Sequence, residues 1–135
     1  MSDPIEGGCL CGAVRFRATR ELGIPAFCHC RTCRRASAAP VVAWLTVARD
    51  GFSFTKGQPR GYRSSARVVR TFCPECGTPL SYANDAYPDA IDVTTISLDA
   101  PERFPPRDHV WTRDAVAWLR LGDDLPRHPE FRPKP

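Results

Sequence analysis

The chain has 135 residues, enough for one domain with a buried core and too few for two independent ones. Its 19 Lys and Arg against 15 Asp and Glu give a formal net charge of +4, with arginines scattered along the chain. This modest charge argues against a nucleic acid partner and favours small anionic ligands. No apolar run approaches the roughly 18 residues of a membrane span, so we expect no membrane-spanning segment.

Seven cysteines in so short a chain suit either a secreted disulfide scaffold or metal binding. An odd number leaves one cysteine unpaired, and the N-terminal residues lack the basic and apolar regions of a secretion signal. We therefore expect a cytoplasmic protein, because reduced thiols in that compartment remain available as metal ligands.

Five strands are predicted, because runs rich in β-branched and aromatic residues recur between glycines and prolines. In the first run, Val14 and Phe16 alternate with Arg15 and Arg17, as expected when one strand face meets a core and the other meets water. The predicted strands cover residues 13–18, 41–47, 52–55, 68–72 and 91–96.

Helical periodicity is weak throughout, and the best candidate helix is the short segment 31–36. We therefore predict a mostly β fold, a small zinc-binding antiparallel sheet or barrel-like structure with little helix. Residues 1–135 form a single domain with its core at about 7–126. The proline-rich tail at 126–135 is either packed or frayed.

Four of the cysteines form two close pairs that together supply the ligands of a closed structural zinc site, Cys9, Cys11, Cys73 and Cys76. Residues two apart in a flat strand lie about 6.7 Å from each other, whereas sulfurs around one zinc lie about 3.8 Å apart. The backbone must therefore bend at the first pair. The second pair, followed by Gly77, has the spacing of a zinc knuckle whose backbone N–H groups point toward the sulfurs.

The other three cysteines, Cys28, Cys30 and Cys33, supply one ligand fewer than a tetrahedral zinc shell requires. If water or an exogenous ligand takes the fourth position, the zinc can take part in chemistry. If a histidine or carboxylate takes it, the site is a second structural one. His29 lies between two of the ligands and should point away from the metal, while His109 can reach it or be a core histidine.

Three arginines, Arg31, Arg34 and Arg35, follow this trio closely. Beside an open zinc they favour a soft anionic ligand, and a thiol-bearing metabolite with carboxylates meets both conditions. They are therefore candidate contacts for substrate carboxylates. The alternative is solvated surface charge, or ion pairs with the chain's own acids.

Residues near the C-terminus offer further candidates without a clear assignment. Trp111 and Trp118 either pack this segment against the sheet, which we prefer, or cover the metal. Asp108 and His109 are candidate groups for proton transfer.

The order of motifs along the chain resembles that of the glutathione-dependent formaldehyde-activating enzyme family, also typified by centromere protein V. The resemblance covers about residues 7–126. It rests on Gly8-Cys-Leu-Cys-Gly-Ala-Val-Arg-Phe, Cys28-His-Cys-Arg-Thr-Cys-Arg-Arg-Ala-Ser, Phe72-Cys-Pro-Glu-Cys-Gly-Thr-Pro-Leu and His109-Val-Trp. Ala38-Ala39 stands where members often have a glycine.

The resemblance implies two zinc ions per chain, a structural one at Cys9, Cys11, Cys73 and Cys76 and a catalytic one at Cys28, Cys30 and Cys33. It also implies a carbon–sulfur lyase activity that forms or cleaves S-hydroxymethylglutathione from glutathione and formaldehyde. Small-molecule thiols and aldehydes are then the partners. The competing hypothesis is a non-catalytic zinc-binding module whose Arg-rich surface binds a protein or nucleic acid.

Overall fold

The computed structural model describes residues 3–133, which form two β-sheets. A three-stranded antiparallel sheet has the order β1 (Ile5–Gly8), β2 (Arg15–Ala18) and β5 (Ser53–Lys56). The second sheet has seven strands, in the spatial order β10 (Asp108–Val110), β3 (Ala26–Cys28), β4 (Val42–Ala48), β9 (Ala90–Thr94), β8 (Pro79–Asn84), β7 (Val68–Phe72) and β6 (Arg60–Ser65). All neighbours in it are antiparallel except β10 and β3.

Helix is scarce in the described part of the chain. The α-helix α1 spans Arg31–Ser37, and short 3-10 helices lie at Arg49–Gly51, Thr95–Ser97, Pro101–Arg103 and Thr112–Asp114. These account for about 15% of residues. The prediction of a mostly β, mostly antiparallel fold with little helix is confirmed. No helix within residues 3–133 has the length and apolarity to cross a membrane.

The seven-stranded sheet has two distinct faces, because its side chains alternate along each strand. In β4, Leu45 and Val47 are fully buried against Phe16 of the smaller sheet, in the main hydrophobic core. Trp44 points to the opposite face, where it packs with Cys28 and Val110 in a second apolar cluster. The smaller sheet thus covers one face, which leaves the other face for α1 and the C-terminal segment.

Half of the strands were predicted, with ends within two residues. The predicted segments 13–18, 41–47, 52–55, 68–72 and 91–96 correspond to β2, β4, β5, β7 and β9. The strands without a prediction are short or polar. In β6, for example, Arg60–Ser65 is mostly exposed and lacks an apolar alternation. Because β6 is an edge strand, it pairs with one neighbouring strand only, and its other side can remain exposed to water.

The C-terminal segment packs along β10, as far as it is described. The backbone N–H of His109 donates to the carbonyl of Pro126 at 2.9 Å, and that of His128 donates to the carbonyl of His109 at 2.9 Å. Further on, the Arg132 guanidinium binds both carboxylate oxygens of Asp108 at 2.7 and 2.8 Å. Residues 126–132 are therefore tied to β10 by these hydrogen bonds; the boundary of a separate tail at 126 stays a prediction, and residues 134–135 lie outside the description.

Candidate metal centres and the adjoining cavity

Cys9, Cys11, Cys73 and Cys76 come together in one cluster that can hold a metal ion. The Sγ atoms of Cys9 and Cys11 lie 3.7 Å apart, and those of Cys11 and Cys73 lie 3.8 Å apart. The predicted backbone bend at the first pair is present. It is a turn in which the N–H of Gly12, at a φ of 80°, donates to the carbonyl of Cys9 at 3.1 Å.

Around the second pair, polar hydrogens converge on the sulfurs. The backbone N–H groups of Glu75 and Cys76 both donate to Cys73 Sγ at 3.4 Å. Hydrogen bonding to the Thr78 hydroxyl, and then to its backbone, lowers the pKa of Cys76 to about 5. Gly77 closes the turn at a φ of 81°, the left-handed conformation expected of a glycine there. These contacts stabilise thiolates, the form that binds metal.

Cys28, Cys30 and Cys33 form the second cluster, which we call the cysteine trio. Cys28 ends β3, Cys30 is the N-cap of α1, and Cys33 lies in its first turn. The Sγ of Cys30 accepts a hydrogen bond from the backbone N–H of Cys33 at 3.3 Å. No fourth Cys, His, Asp or Glu from residues 3–133 belongs to this cluster.

The three thiols of the trio share their protons. Hydrogen bonds from Cys28 and Cys33 lower the pKa of Cys30 to about 2. The same interaction raises the pKa of Cys28, because hydrogen bonding to the Cys30 thiolate favours its protonated form. One negative charge is therefore held easily, whereas three thiolates so close together require a bound cation.

Neither His29 nor His109 joins the trio. His29 Nε2 and His109 Nδ1 lie 2.8 Å apart, and His109 Nε2 contacts the Asp123 carboxylate at 3.1 Å. Both imidazoles are buried, and burial first of all lowers the pKa of His29. The proposed fourth donor His109 thus has both ring nitrogens engaged elsewhere. It is a core histidine, bonded to another histidine and to a carboxylate.

A cavity of about 440 Å³ lies on the face of the large sheet beside the trio. Its walls include all three cysteines of the trio. Opposite them, Arg70 donates from Nη2 to Cys33 Sγ at 3.6 Å and stacks 5.0 Å above the Tyr82 ring. The C-terminal segment contributes Phe131 and Arg132 to the wall. The trio therefore faces a space large enough for a small molecule.

The floor of this cavity follows from the strand register. Arg70 pairs with Tyr82, Tyr82 with Asp92, and Asp92 with Thr46, so one polar row crosses four strands. Sequence analysis missed this row. A signal for it was present in β9, where Asp92 stands between Ile91 and Val93 and must face away from the core.

The three arginines that follow the trio are placed differently from one another. Arg31 lines the cavity. Arg34 donates from Nε to the carbonyl of His29 at 3.3 Å, and Arg35 lines a separate depression with Tyr62. Helical geometry separates consecutive side chains by about 100°. Only Arg31 of the three reaches the cavity, and Arg70, 37 positions after Cys33, is the second arginine near the trio.

The candidate residues near the C-terminus also differ in whether they line the cavity. Trp111 lines the cavity and packs edge-on against Phe131, with ring centroids 5.7 Å apart. Trp118 is 73% exposed, so the preferred prediction that it packs on the sheet is wrong. Asp108 is bound by Arg132, and neither Asp108 nor His109 is among the residues that line the cavity.

Two known proteins are similar to this chain in sequence, and the name of one of them gives the family that the order of motifs resembles. The chain is 36% identical over 78 residues to an uncharacterized lyase of Schizosaccharomyces pombe, which covers 58% of this chain and 56% of that relative. The chain thus matches little more than half of that protein's length. It is 25% identical over 129 residues to a Halomonas elongata protein named "Putative glutathione-dependent formaldehyde-activating enzyme", covering 87% of this chain and 80% of the relative.

Among solved structures, a Rhodobacter sphaeroides protein superposes with a TM-score of 0.60 at 22% identity. The match covers 70% of this chain and 87% of that one, and it shows a shared fold. A family model described as glutathione-dependent formaldehyde-activating enzyme matches residues 4–114, most of the chain. The protein therefore belongs to the glutathione-dependent formaldehyde-activating enzyme family.

Proposed function

We propose that this protein is a zinc-dependent carbon–sulfur lyase that forms or cleaves adducts between a thiol and an aldehyde. Glutathione and formaldehyde are the pair that the family name suggests. In the forming direction a carbon–sulfur bond is made, the aldehyde carbonyl becomes a hydroxyl, and the thiol proton ends on that oxygen. The reverse direction breaks the same bond and releases both molecules.

The chemistry of the donor sets supports zinc at both clusters. Sulfur separations of 3.7 and 3.8 Å in the four-cysteine cluster match the value of about 3.8 Å expected around a tetrahedral zinc. Four thiolates would complete that shell as a structural site. At the trio, three thiolates would hold a zinc with one position for a ligand, and this bound zinc would supply Lewis acidity and favour the thiolate form of a substrate.

The chain's own residues would position the substrate. Arg70 and Arg31 place positive charge beside the trio, where an anionic thiol binds, and guanidinium groups suit carboxylates. Trp111 and Phe131 supply an apolar part of the cavity wall. Reduced thiols are needed throughout, and we propose a cytoplasmic location on that ground.

One observation carries this proposal: the cluster without a fourth protein donor within residues 3–133 is the one that opens on the large polar-floored cavity. The test combines zinc analysis with the rate of formaldehyde–glutathione exchange measured by NMR. For the wild type we expect two zinc ions and exchange faster than in protein-free buffer. Cys30→Ser should retain one zinc, keep the fold and lose the acceleration.

Ser37→Ala is a matched control at the other end of α1, because Ser37 does not line the cavity with the trio. It should keep both zinc ions and the full rate. A wild-type protein with one zinc and no acceleration would contradict the enzyme and favour the binding module, whose affinity for a polyanionic partner would fall steeply with salt.

A further inference from the structure

The wall of the cavity contains a carboxyl group that has no cationic partner among residues 3–133. Asp92 lies in β9 between Ile91 and Val93, which face the core, and its own side chain lines the cavity. The Thr46 hydroxyl donates to Asp92 Oδ1 at 2.5 Å. Within residues 3–133, no Lys, Arg or His nitrogen lies within ion-pair distance of this carboxylate.

Two arginines on the cavity wall make hydrogen bonds to groups other than Asp92. Arg132 attracts Asp92 from a distance, but its guanidinium donates to both oxygens of Asp108. Arg70 lies across Tyr82, where its Nε donates to Ser64 at 3.2 Å and its Nη2 to Cys33. Burial raises the pKa of Asp92, because desolvation penalises a carboxylate that lacks a counter-charge. A cation supplied by a ligand would remove that penalty.

The register of the sheet separates Asp92 from the trio. Asp92 pairs with Thr46, whereas Cys28 pairs with Val42, four residues away along β4. This amounts to about 13 Å along the strands and about 10 Å across them, or about 16 Å between the two Cα atoms. Asp92 and Cys28 thus lie at different places on the cavity wall, and Asp92 is placed to recognise a part of a bound molecule other than the atom held at the trio.

A molecule that reaches from the trio to Asp92 has a definite size. A tripeptide-sized thiol extends about 10 Å, at up to about 3.5 Å per residue. The side chains at either end of the cavity cover the remainder. Of the charged groups along the way, Arg31 and Arg70 lie beside the trio, and Asp92 follows Arg70 and Tyr82 in the polar row.

On these grounds, and resting on the proposed function, we propose that Asp92 is a specificity-determining residue that binds the ammonium group of a peptide-like zwitterionic thiol. The thiol binds at the trio, and the substrate carboxylates bind nearer Arg31 and Arg70. Asp92 would thereby discriminate a thiol that carries an ammonium group from one that carries only negative charge.

The test uses two unreactive probes that differ by one charge. S-methylglutathione carries the ammonium group, and its glutaryl analogue has hydrogen in that place. Binding is followed by tryptophan fluorescence, because Trp44 and Trp111 both line the cavity. For the zinc-loaded wild type we expect S-methylglutathione to bind about 10- to 100-fold more tightly, the effect of one charged hydrogen bond.

Asp92→Asn keeps the shape of the side chain and removes its charge, so the ratio of the two affinities should fall to near 1. Asp50→Asn, which removes an exposed carboxylate outside the cavity, should leave the ratio unchanged. Asp114→Asn tests the other carboxylate on the cavity wall and should also leave it unchanged.

A wild-type ratio near 1, or the absence of binding by both probes, would overturn the inference even if Asp92→Asn failed to fold. So would a ratio that survives in Asp92→Asn or is lost in Asp114→Asn. Exchange kinetics with the two parent thiols distinguish a failure of the proposed role of Asp92 from a failure of the proposed function. Equal acceleration of both thiols would refute the role of Asp92 alone, whereas acceleration of neither would refute the enzyme.

Discussion

The two cysteine clusters use the same ligand type in different surroundings. The four-cysteine cluster joins the turn after β1 to the turn between β7 and β8, 62 positions apart between Cys11 and Cys73. The trio, in contrast, is local, lying within six positions of the chain, and all three of its cysteines line one cavity, whereas only Cys9 of the first cluster lines a cavity within residues 3–133. We therefore expect the fold to depend on the first cluster, and ligand access to be organised around the second.

The largest expected effect is the loss of folding in Cys73→Ser. Cys73 is fully buried in the main core, and the metal free energy of structural zinc sites, about 10–16 kcal/mol, matches or exceeds the total stability of a domain, about 5–15 kcal/mol. We expect insoluble or molten protein, with the sharp near-ultraviolet circular dichroism of a packed core lost.

Cys30→Ser makes the identical chemical change in the trio and serves as the control. This variant should remain folded and soluble, and it should show a cooperative unfolding transition. If Cys73→Ser were also soluble and unfolded cooperatively, the proposed division between a structural and a functional cluster would be wrong.

A smaller loss of stability is expected in the C-terminal segment, where an ion pair and not a metal supports the cavity wall. In Arg132→Met the Asp108 carboxylate, whose side chain is only 6% exposed, loses its two-point partner. Loss of one partner of a buried pair costs about 3–5 kcal/mol, and the partial exposure of Arg132 reduces this to about 2 kcal/mol. Urea denaturation measures the difference.

Arg113→Met provides the comparison, because Arg113 pairs with Glu130 at 3.3 Å on the surface, with both side chains more than half exposed. It should cost less than about 0.5 kcal/mol. Equal effects of the two substitutions would show that the C-terminal segment does not depend on the Asp108 pair.

The smallest expected effect lies at the end of α1, which carries Cys33. Ala38 adopts a φ of 50°, a left-handed conformation that costs a residue with a Cβ roughly 1–2 kcal/mol. Glycine at this position would remove that cost, but its greater flexibility in the unfolded chain offsets about 0.4–1 kcal/mol of the gain. Ala38→Gly should therefore raise the free energy of unfolding by about 0.5–1 kcal/mol, seen as a higher urea midpoint at constant slope.

Ala39→Gly is the control at the next position, whose φ is not positive. There only the unfolded-state effect applies, so this substitution should lower the free energy of unfolding by about 0.4–1 kcal/mol. A destabilising Ala38→Gly would mean that the left-handed conformation carries no strain.

Sequence analysis anticipated the parts of the molecule that local chemistry determines. Ligand counting divided the cysteines correctly into the two clusters, because sulfurs must lie close together to share a metal. The same reasoning required the bend at Cys9–Cys11. Family membership was likewise predicted from the order of motifs, and the family model confirms it.

The cavity was beyond such reasoning, since register between distant strands decides which side chains become neighbours. Arg70 and Asp92 are 22 positions apart and meet on one face only because β8 lies between their strands. Arg34 and Arg35 show the converse, since adjacency in sequence to the trio did not bring them to the cavity.

The alternation of β4 and β9 has an evolutionary consequence. Leu45, Val47 and Val93 pack in the core on one side of these strands, while Thr46 and Asp92 line the cavity on the other. Replacements at the second set leave the hydrophobic interior intact, and large losses in stability come mainly from changes to that interior. Descendants of this chain can therefore acquire new ligand preferences through single substitutions on an unchanged scaffold.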